Sequence, residues 1–329
     1  MLPSTSKKEL VLKNAKLVFR YLLDAASRGE KAALLTVTGI IGHSAREAGT
    51  QMAVSETGGA AGSFSGGCVE AAIIGEARRV IAAGQAELLR YGQGSPFIDM
   101  RLPCGGGMDV LVSPVASAAP ILQAYELLEA RQPVALLLGR DGSLLVQPGG
   151  KGTASGWRND LFLVQHMPDL RLIIAGQGAE TSALARLAVC FGADVTVLSP
   201  EKMTAMAAAQ AGAEAWELAG RQRSAHLHAD PYTAVVMLLH DHDRETELLL
   251  QALEQAPFFI GAMGSRATHA RRLDALAARG VPSAALKRIV GPIGTIHAAR
   301  DPETLALSAL TQIVTRYRES LTVLISVEM

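Results

Sequence analysis

The sequence predicts an α/β protein of two domains, an N-terminal α/β domain over residues 1–166 and a doubly wound parallel sheet over 167–329. Three observations carry this. The 329 residues exceed what one typical core holds. Apolar residues make up 49% of the chain and aromatics only 4%, so the core must be built from Ala, Leu, Val and Ile, as in buried parallel strands. Finally, Leu172–Ala175, Gly176-Gln177-Gly178, Glu180–Phe191 and Asp194–Leu198 read as strand, turn, helix and strand, the βαβ unit of a Rossmann-like domain.

In the first half, residues 8–28 carry Leu10, Ala15, Val18, Leu22 and Ala25 on a helical period, with Gly29 as the stop. Ala32–Val37 reads as a buried strand. From Gly39 to Gly67 the chain is rich in Gly, Ser, Thr and Ala: a loop, a short strand near Gln51–Val54, and a glycine-rich turn. Val69–Ala83 is a helix closed by Gly84. Asp109–Val112 is a strand ended by Pro114, Ala118–Ala130 a helix and Pro133–Leu138 a strand, followed by a hairpin signal at Asp141-Gly142. Residues 148–156 are loop-like, and the domain boundary follows them near Pro168. Beyond the βαβ unit, strands are expected at Thr233–Leu239 and Phe258–Ile260. Leu321–Val327 reads as a late strand that could close a sheet or pair across a homodimer.

Composition excludes some functions. Lys+Arg and Asp+Glu are both 31, so nothing supports nucleic-acid binding. No apolar run approaches the roughly 20 residues of a membrane span. Met1–Lys8 carries no signal-peptide core, and three cysteines make no disulfide framework. The expectation is a reducing cytoplasm with free thiols.

Four segments carry chemistry. The first is a pair of cysteines against glycines, Ser65-Gly66-Gly67-Cys68-Val69-Glu70 and Pro103-Cys104-Gly105-Gly106-Gly107. Glycine lets the backbone turn sharply and approach a ligand closely. Cys68 falls at a helix start, which favours the thiolate, while Glu70 opposes it. No CxxC pair exists, so zinc is not indicated. On residue types alone, the two thiols divide evenly between a functional and a packing role. The third cysteine, Cys190, inside a helix beside Phe191, is expected to be a small buried hydrophobe.

The second segment is the turn Gly176-x-Gly178-x-x-Thr181, placed as a dinucleotide fingerprint requires. Its third glycine is Thr181, however, and Leu198-Ser199-Pro200 stands where an acid would hold a ribose. NAD(P) binding therefore does not follow from the turn; the alternative is a Rossmann-like domain that binds another nucleotide or none. Third, His240-Asp241-His242-Asp243 follows a strand, where it could meet a ligand, bind a metal or cap the next helix. Adjacent side chains diverge, so no metal site is assigned there. Fourth, Gly264-Ser265-Arg266 opens a helix and adds a guanidinium, suiting a phosphate or simply capping the helix.

These residues together resemble the XdhC/CoxI family of xanthine dehydrogenase accessory factors. In the first half the resemblance runs through Gly42-His43-Ser44-Ala45-Arg46, Gly49-Thr50-Gln51-Met52, the Gly66-Gly67-Cys68-Val69-Glu70 segment and Cys104-Gly105-Gly106. In the second it runs through Gly176-x-Gly178, His240–Asp243, Gly261-x-x-Gly264-Ser265-Arg266 and Pro292-Ile293-Gly294. It implies a molybdenum-cofactor chaperone rather than a turnover enzyme. Such a protein holds the molybdopterin transiently, supports its sulfuration by a cysteine desulfurase, and passes it to a xanthine dehydrogenase-type molybdoenzyme. Cys68 and Cys104 would be the cofactor-contacting thiols, with a cleft expected where the two domains' glycine-rich faces meet. The chain departs from the family pattern at Ala45, Thr181, Ser199 and Thr295-Ile296-His297-Ala298. Two rival functions stay open: an NAD(P)-dependent oxidoreductase with a redox cysteine, and a cofactor-free docking scaffold for a dehydrogenase.

Overall fold

The computed structural model describes residues 15–42, 46–64, 70–95, 105–150, 154–296 and 299–322. They form two compact units, one ending at Pro168 and the other starting at Asp169.

In the first unit, α1 (Ala15–Ser27) buries Val18, Phe19, Leu22 and Ala25, one stripe of a helix. The left-handed Gly29 ends it, and the next amide, that of Glu30, donates back to the Ala25 carbonyl. Then come β1 (Ala32–Ile41), β2 (Gln51–Ser55), β3 (Ala60–Ala61), α2 (Glu70–Ala83), β4 (Glu87–Gly92), β5 (Gly107–Pro114), α3 (Ala119–Glu129), β6 (Val134–Gly139), β7 (Leu144–Pro148), β8 (Gly156–Arg158) and β9 (Leu161–His166). Two antiparallel sheets result, ordered β3-β2-β1-β5-β4 and β7-β6-β9-β8. Strand β1 runs four residues past its expected end because β5 pairs along its whole length, with a register shift between Val37 and Gly39. Alternation along β1 divides the core. Ala33, Leu35 and Val37 join α2's Ile73, Ala77 and Val80, whereas Ala32 and Leu34 join α1, α3 and the second sheet's Leu136 and Phe162.

His166, at the end of β9, sets its ring edge-on to Phe19 with Nε2 buried and without a hydrogen-bond partner. Desolvation pushes its pKa down from 6.5 to about 4. The folded state therefore binds fewer protons than the unfolded chain below pH 6.5. Its contribution to stability is complete above that pH and is lost as pH falls towards about 4, at up to about 1.4 kcal/mol per pH unit. Urea titrations at pH 7.5 and 4.5 should show a smaller drop for His166→Phe than for the parent chain.

The second unit runs β10 (Arg171–Gly176), α4 (Gly178–Phe191), β11 (Asp194–Ser199), α5 (Lys202–Gln210), β12 (Glu214–Glu217), β13 (Thr233–Leu238), α6 (His242–Leu253), β14 (Phe259–Ala262), α7 (Arg266–Ala278), α8 (Ser283–Leu286), β15 (Ile289–Val290) and α9 (Pro302–Thr322). Its single sheet is ordered β12-β11-β10-β13-β14-β15, with every pairing parallel. That is the doubly wound dinucleotide-fold order 3-2-1-4-5-6, with the change of direction between β10 and β13. Leu172 and Ile174 face α4 and α9; Ile173 and Ala175 face α6. Between β12 and β13 the usual crossover helix is missing. Residues 218–232 instead cross as an irregular strap, with Leu218 and Leu227 buried. Gln251 of α6 supplies its missing hydrogen bonds, accepting from the Ser224 amide (2.9 Å) and donating to the carbonyls of Ser224 (2.8 Å) and Leu227 (3.2 Å).

Two expectations are corrected. Cys190 is exposed, not buried: α4 turns Ala183, Leu184, Ala185 and Ala188 to the core, and Cys190 lies in the last turn beyond that stripe. Leu321 and Thr322 belong to α9, not to a strand, because Ala306, Ala309, Leu310 and Ile313 give that segment a helical buried stripe. The remainder of that expected strand, 323–327, lies outside the described residues. Among those described, no helix is long and apolar enough to cross a membrane.

Candidate functional site

The residues expected to carry chemistry fall in two sets, one in each unit. In the first unit, Gly66, Gly67, Cys68 and Cys104 lie outside the described residues; the described chain flanks the first segment at Phe64 and Glu70 and resumes after Cys104 at Gly105. Phe64, just before the first glycine–cysteine segment, is 1% exposed and shares a cluster with Ile73, Tyr91 and Met108. Ser63 donates to Glu70 at 2.8 Å, tying the two sides of 65–69 together. Helix α2 starts at Glu70, two residues after Cys68. After Cys104, Gly105 is exposed and left-handed. Gly106 is buried: its carbonyl accepts the Gln93 amide, and its Cα would lie 3.5 Å from a Cβ on Gly42. At Gly107 a Cβ would come within 2.8 Å of the Gln93 carbonyl oxygen, so only glycine fits. Phe64 and Met108, which flank the two segments, thus share one apolar cluster, and Gly107 pairs with Ile41 at the end of β1 and with Gly92 at the end of β4. Arg90 braces this region with a two-pronged bond to Asp109, 2.7 and 2.8 Å.

In the second unit, the chemistry-bearing residues gather at the carboxyl ends of the parallel strands, where doubly wound sheets bind ligands. Gly176 ends β10 against Leu238 of β13; a Cβ there would meet the Thr181 hydroxyl at 2.3 Å and the Leu238 Cβ at 2.8 Å. Thr181 stands in for the third glycine, fully buried, its hydroxyl donating to the Gln177 carbonyl. The Gly178 amide, suited by sequence to a phosphate, donates instead to Glu201 (3.2 Å) and Thr204 (3.0 Å). Ser199 is also buried and accepts the Glu201 amide, so it shapes the turn.

His240, two residues past the end of β13, is exposed to solvent. Asp241 caps α6, accepting the amides of Asp243 and Arg244 at 3.1 and 3.2 Å, and pairs with Arg221. The Arg244 amide, then burial opposing it and the Arg221 charge, leave its carboxyl below the usual range. Arg221, from the strap, also reaches Asp243 at 2.7 Å and so offsets two acids at the rim. Beside them, Gly264 has φ +130, and Ser265 caps α7 by accepting the Thr268 amide, with Arg266 exposed next to it. Behind this turn lies a buried ion pair. Arg272 grips Glu245 at 3.0 and 2.9 Å, donates to the Met263 carbonyl at 2.6 Å and meets His269 Nδ1 at 3.2 Å. His242 Nδ1 approaches the same Glu245 at 3.5 Å. Burial, and after it the Arg272 charge, keeps His269 below its ordinary pKa. The structure therefore brings Gly176, Gly178, His240, Asp241, Gly264, Ser265 and Arg266 to one edge of one sheet. Sequence reasoning missed Glu201, Arg221 and the Glu245–Arg272 pair. The spacing of Glu245 on the buried stripe of α6, with Leu248, Leu249 and Ala252, was the available signal for the last.

A groove of about 730 Å³ opens beside Asp243, lined by Arg221, Arg223 and Arg279. Each arginine is paired, with Asp243, Glu254 and Glu247 respectively, so the groove holds no unbalanced charge for an anion.

Comparison with known proteins agrees with this architecture. Residues 172–313 match the XdhC Rossmann domain, and residues 25–92 match the XdhC and CoxI family. The chain is 37% identical over 296 residues, 90% of its length and 86% of the relative's, to the molybdenum cofactor insertion chaperone PaoD of Escherichia coli K12. In fold it is similar to a crystal structure described as a xanthine dehydrogenase from Bacillus halodurans, with a TM-score of 0.71 at 21% identity, covering 92% of this chain and 96% of that one. With both halves matched in order and a relative aligned over nine-tenths of this chain, the chain belongs to the XdhC/CoxI family.

Proposed function

We propose that this protein binds a molybdenum cofactor and inserts it into a molybdoenzyme. The observation that carries this is the 37% identity, over 90% of the chain, to a relative named for that task. The chemistry of the residues fits the cargo. A molybdopterin presents a soft, sulfur-bound metal at one end and a phosphate at the other. Cys68 and Cys104 would hold or shield the metal end, with Gly66, Gly67, Gly105 and Gly106 admitting the ring system to the backbone. In the second unit, taken by itself, Gly264, Ser265 and Arg266 suit a phosphate, with His240, Asp241 and the Gly176–Gly178 turn on the same strand ends.

In the finer form of the reading, a cysteine desulfurase supplies sulfur while the cofactor is held, the client is a hydroxylase of the xanthine dehydrogenase type, and the setting is a reducing cytoplasm that keeps the thiols free. The test is transfer to a cofactor-free hydroxylase, read as client activity. Cys68→Ala/Cys104→Ala is expected to lower transfer by about tenfold or more. Unchanged client activation by that variant would remove the thiols from the reading.

A further inference from the structure

The head of α4 already holds an anion. Helix N-termini in this position bind the pyrophosphate of a dinucleotide through backbone N–H groups and the helix dipole. Here the Gly178 amide is shared between Glu201 Oε2 at 3.2 Å and the buried Thr204 hydroxyl at 3.0 Å. Thr204 in turn donates to Glu201 Oε2 at 2.9 Å, and the Gln177 side-chain amide donates to Glu201 Oε1 at 3.4 Å. Glu201 sits at the N-cap of α5 yet accepts no amide of its own helix. Its carboxylate turns instead across the strand ends to the neighbouring glycine turn. A second carboxylate, Glu180, lies 3.6 Å from where a Gly178 Cβ would be. The place of the usual ribose-holding acid is Ser199, whose hydroxyl accepts the Glu201 amide at 3.1 Å and fixes the bend that swings Glu201 back.

We infer that Glu201 is a specificity-determining residue: its carboxylate fills the phosphate site of the glycine turn and keeps nucleotide pyrophosphates such as NAD(P) out of the second unit. An incoming pyrophosphate would have to displace a bonded carboxylate and then face two negative charges at short range. The inference stands independently of what the cysteines bind.

Inorganic pyrophosphate and NADH serve as probes on the full chain, read by calorimetry and by the Gly178 amide resonance. Glu201→Gln keeps the shape and removes the charge; Glu201→Ala empties the site. Both variants are expected to bind pyrophosphate at least about tenfold more tightly than the parent chain, with the Gly178 resonance shifting. Two results would overturn the inference: pyrophosphate or NADH binding to the parent at Gly178 as tightly as to the variants, or no gain in either variant.

Discussion

Replacing Glu245 by glutamine should destabilise the second unit by about 3–5 kcal/mol, read as a lower urea midpoint. The partner is the reason. Arg272 has 3% of its side chain exposed and Glu245 2%, so removing the negative charge strands a buried guanidinium. The lost interaction is also geometric, because the Arg272 fork makes both bonds to Glu245 and a third to the Met263 carbonyl. That carbonyl precedes Gly264 and Ser265, so the same substitution should loosen the turn that opens α7. Arg272→Lys keeps the charge but not the fork, and should also be destabilising. The double substitution Glu245→Leu/Arg272→Met should recover much of the loss, because a buried pair exchanged for apolar side chains of similar volume is often near neutral. If Glu245→Gln moves the midpoint no more than a surface substitution does, the pair is not buried in solution.

Phe64→Ala should be as severe in the first unit, about 3–5 kcal/mol, because it empties a fully enclosed aromatic site. Phe64 packs in the cluster that also holds Met52, Ile73, Tyr91 and Met108. Its second effect is local. Phe64 is the last described residue before the Gly66-Gly67-Cys68 segment, and Met108 lies four residues after Cys104. Loss of the ring should therefore loosen the anchors of both cysteine segments and weaken cofactor retention at temperatures where the unit is still folded. Phe64→Leu keeps most of the volume and should lose far less on both counts. Equal retention by Phe64→Ala and the parent at a temperature where both are folded would separate the cluster from the site.

Much of this architecture was legible in the residues. The alternation Leu172-Ile173-Ile174-Ala175 sends successive side chains to opposite faces, and the two clusters of the second unit confirm that split. Glycine positions were informative because their reasons are local: Gly29 stops α1, and Gly176 clears Thr181. Short edge segments were less legible. Strand β4, Glu-Leu-Leu-Arg-Tyr-Gly, turns Leu89 and Tyr91 inward and Leu88 and Arg90 outward, but so short an alternation marks a strand only once it pairs with β5. The strap at 218–232 gave no sign that it replaces a helix, since its backbone is bonded by Gln251, Gln255 and Arg244, more than twenty residues away. In the site, residue types marked the strand ends correctly, but partners could not be read. Glu201 looks like an ordinary helix start until the fold sets it beside Gly178. Glu245 and Arg272 lie on different helices and become a pair only when α6 and α7 pack side by side.

The proposed function has the chain hold a molybdenum cofactor through its two glycine–cysteine segments. It is tested by mixing the purified 329-residue chain with molybdopterin cofactor, separating free from bound by gel filtration under reducing conditions, and assaying molybdenum and pterin in the protein peak. Equimolar retention is expected for the parent chain and little for Cys68→Ala/Cys104→Ala, with both proteins equally folded. No cofactor in the parent peak, or equal amounts in the two, would contradict it.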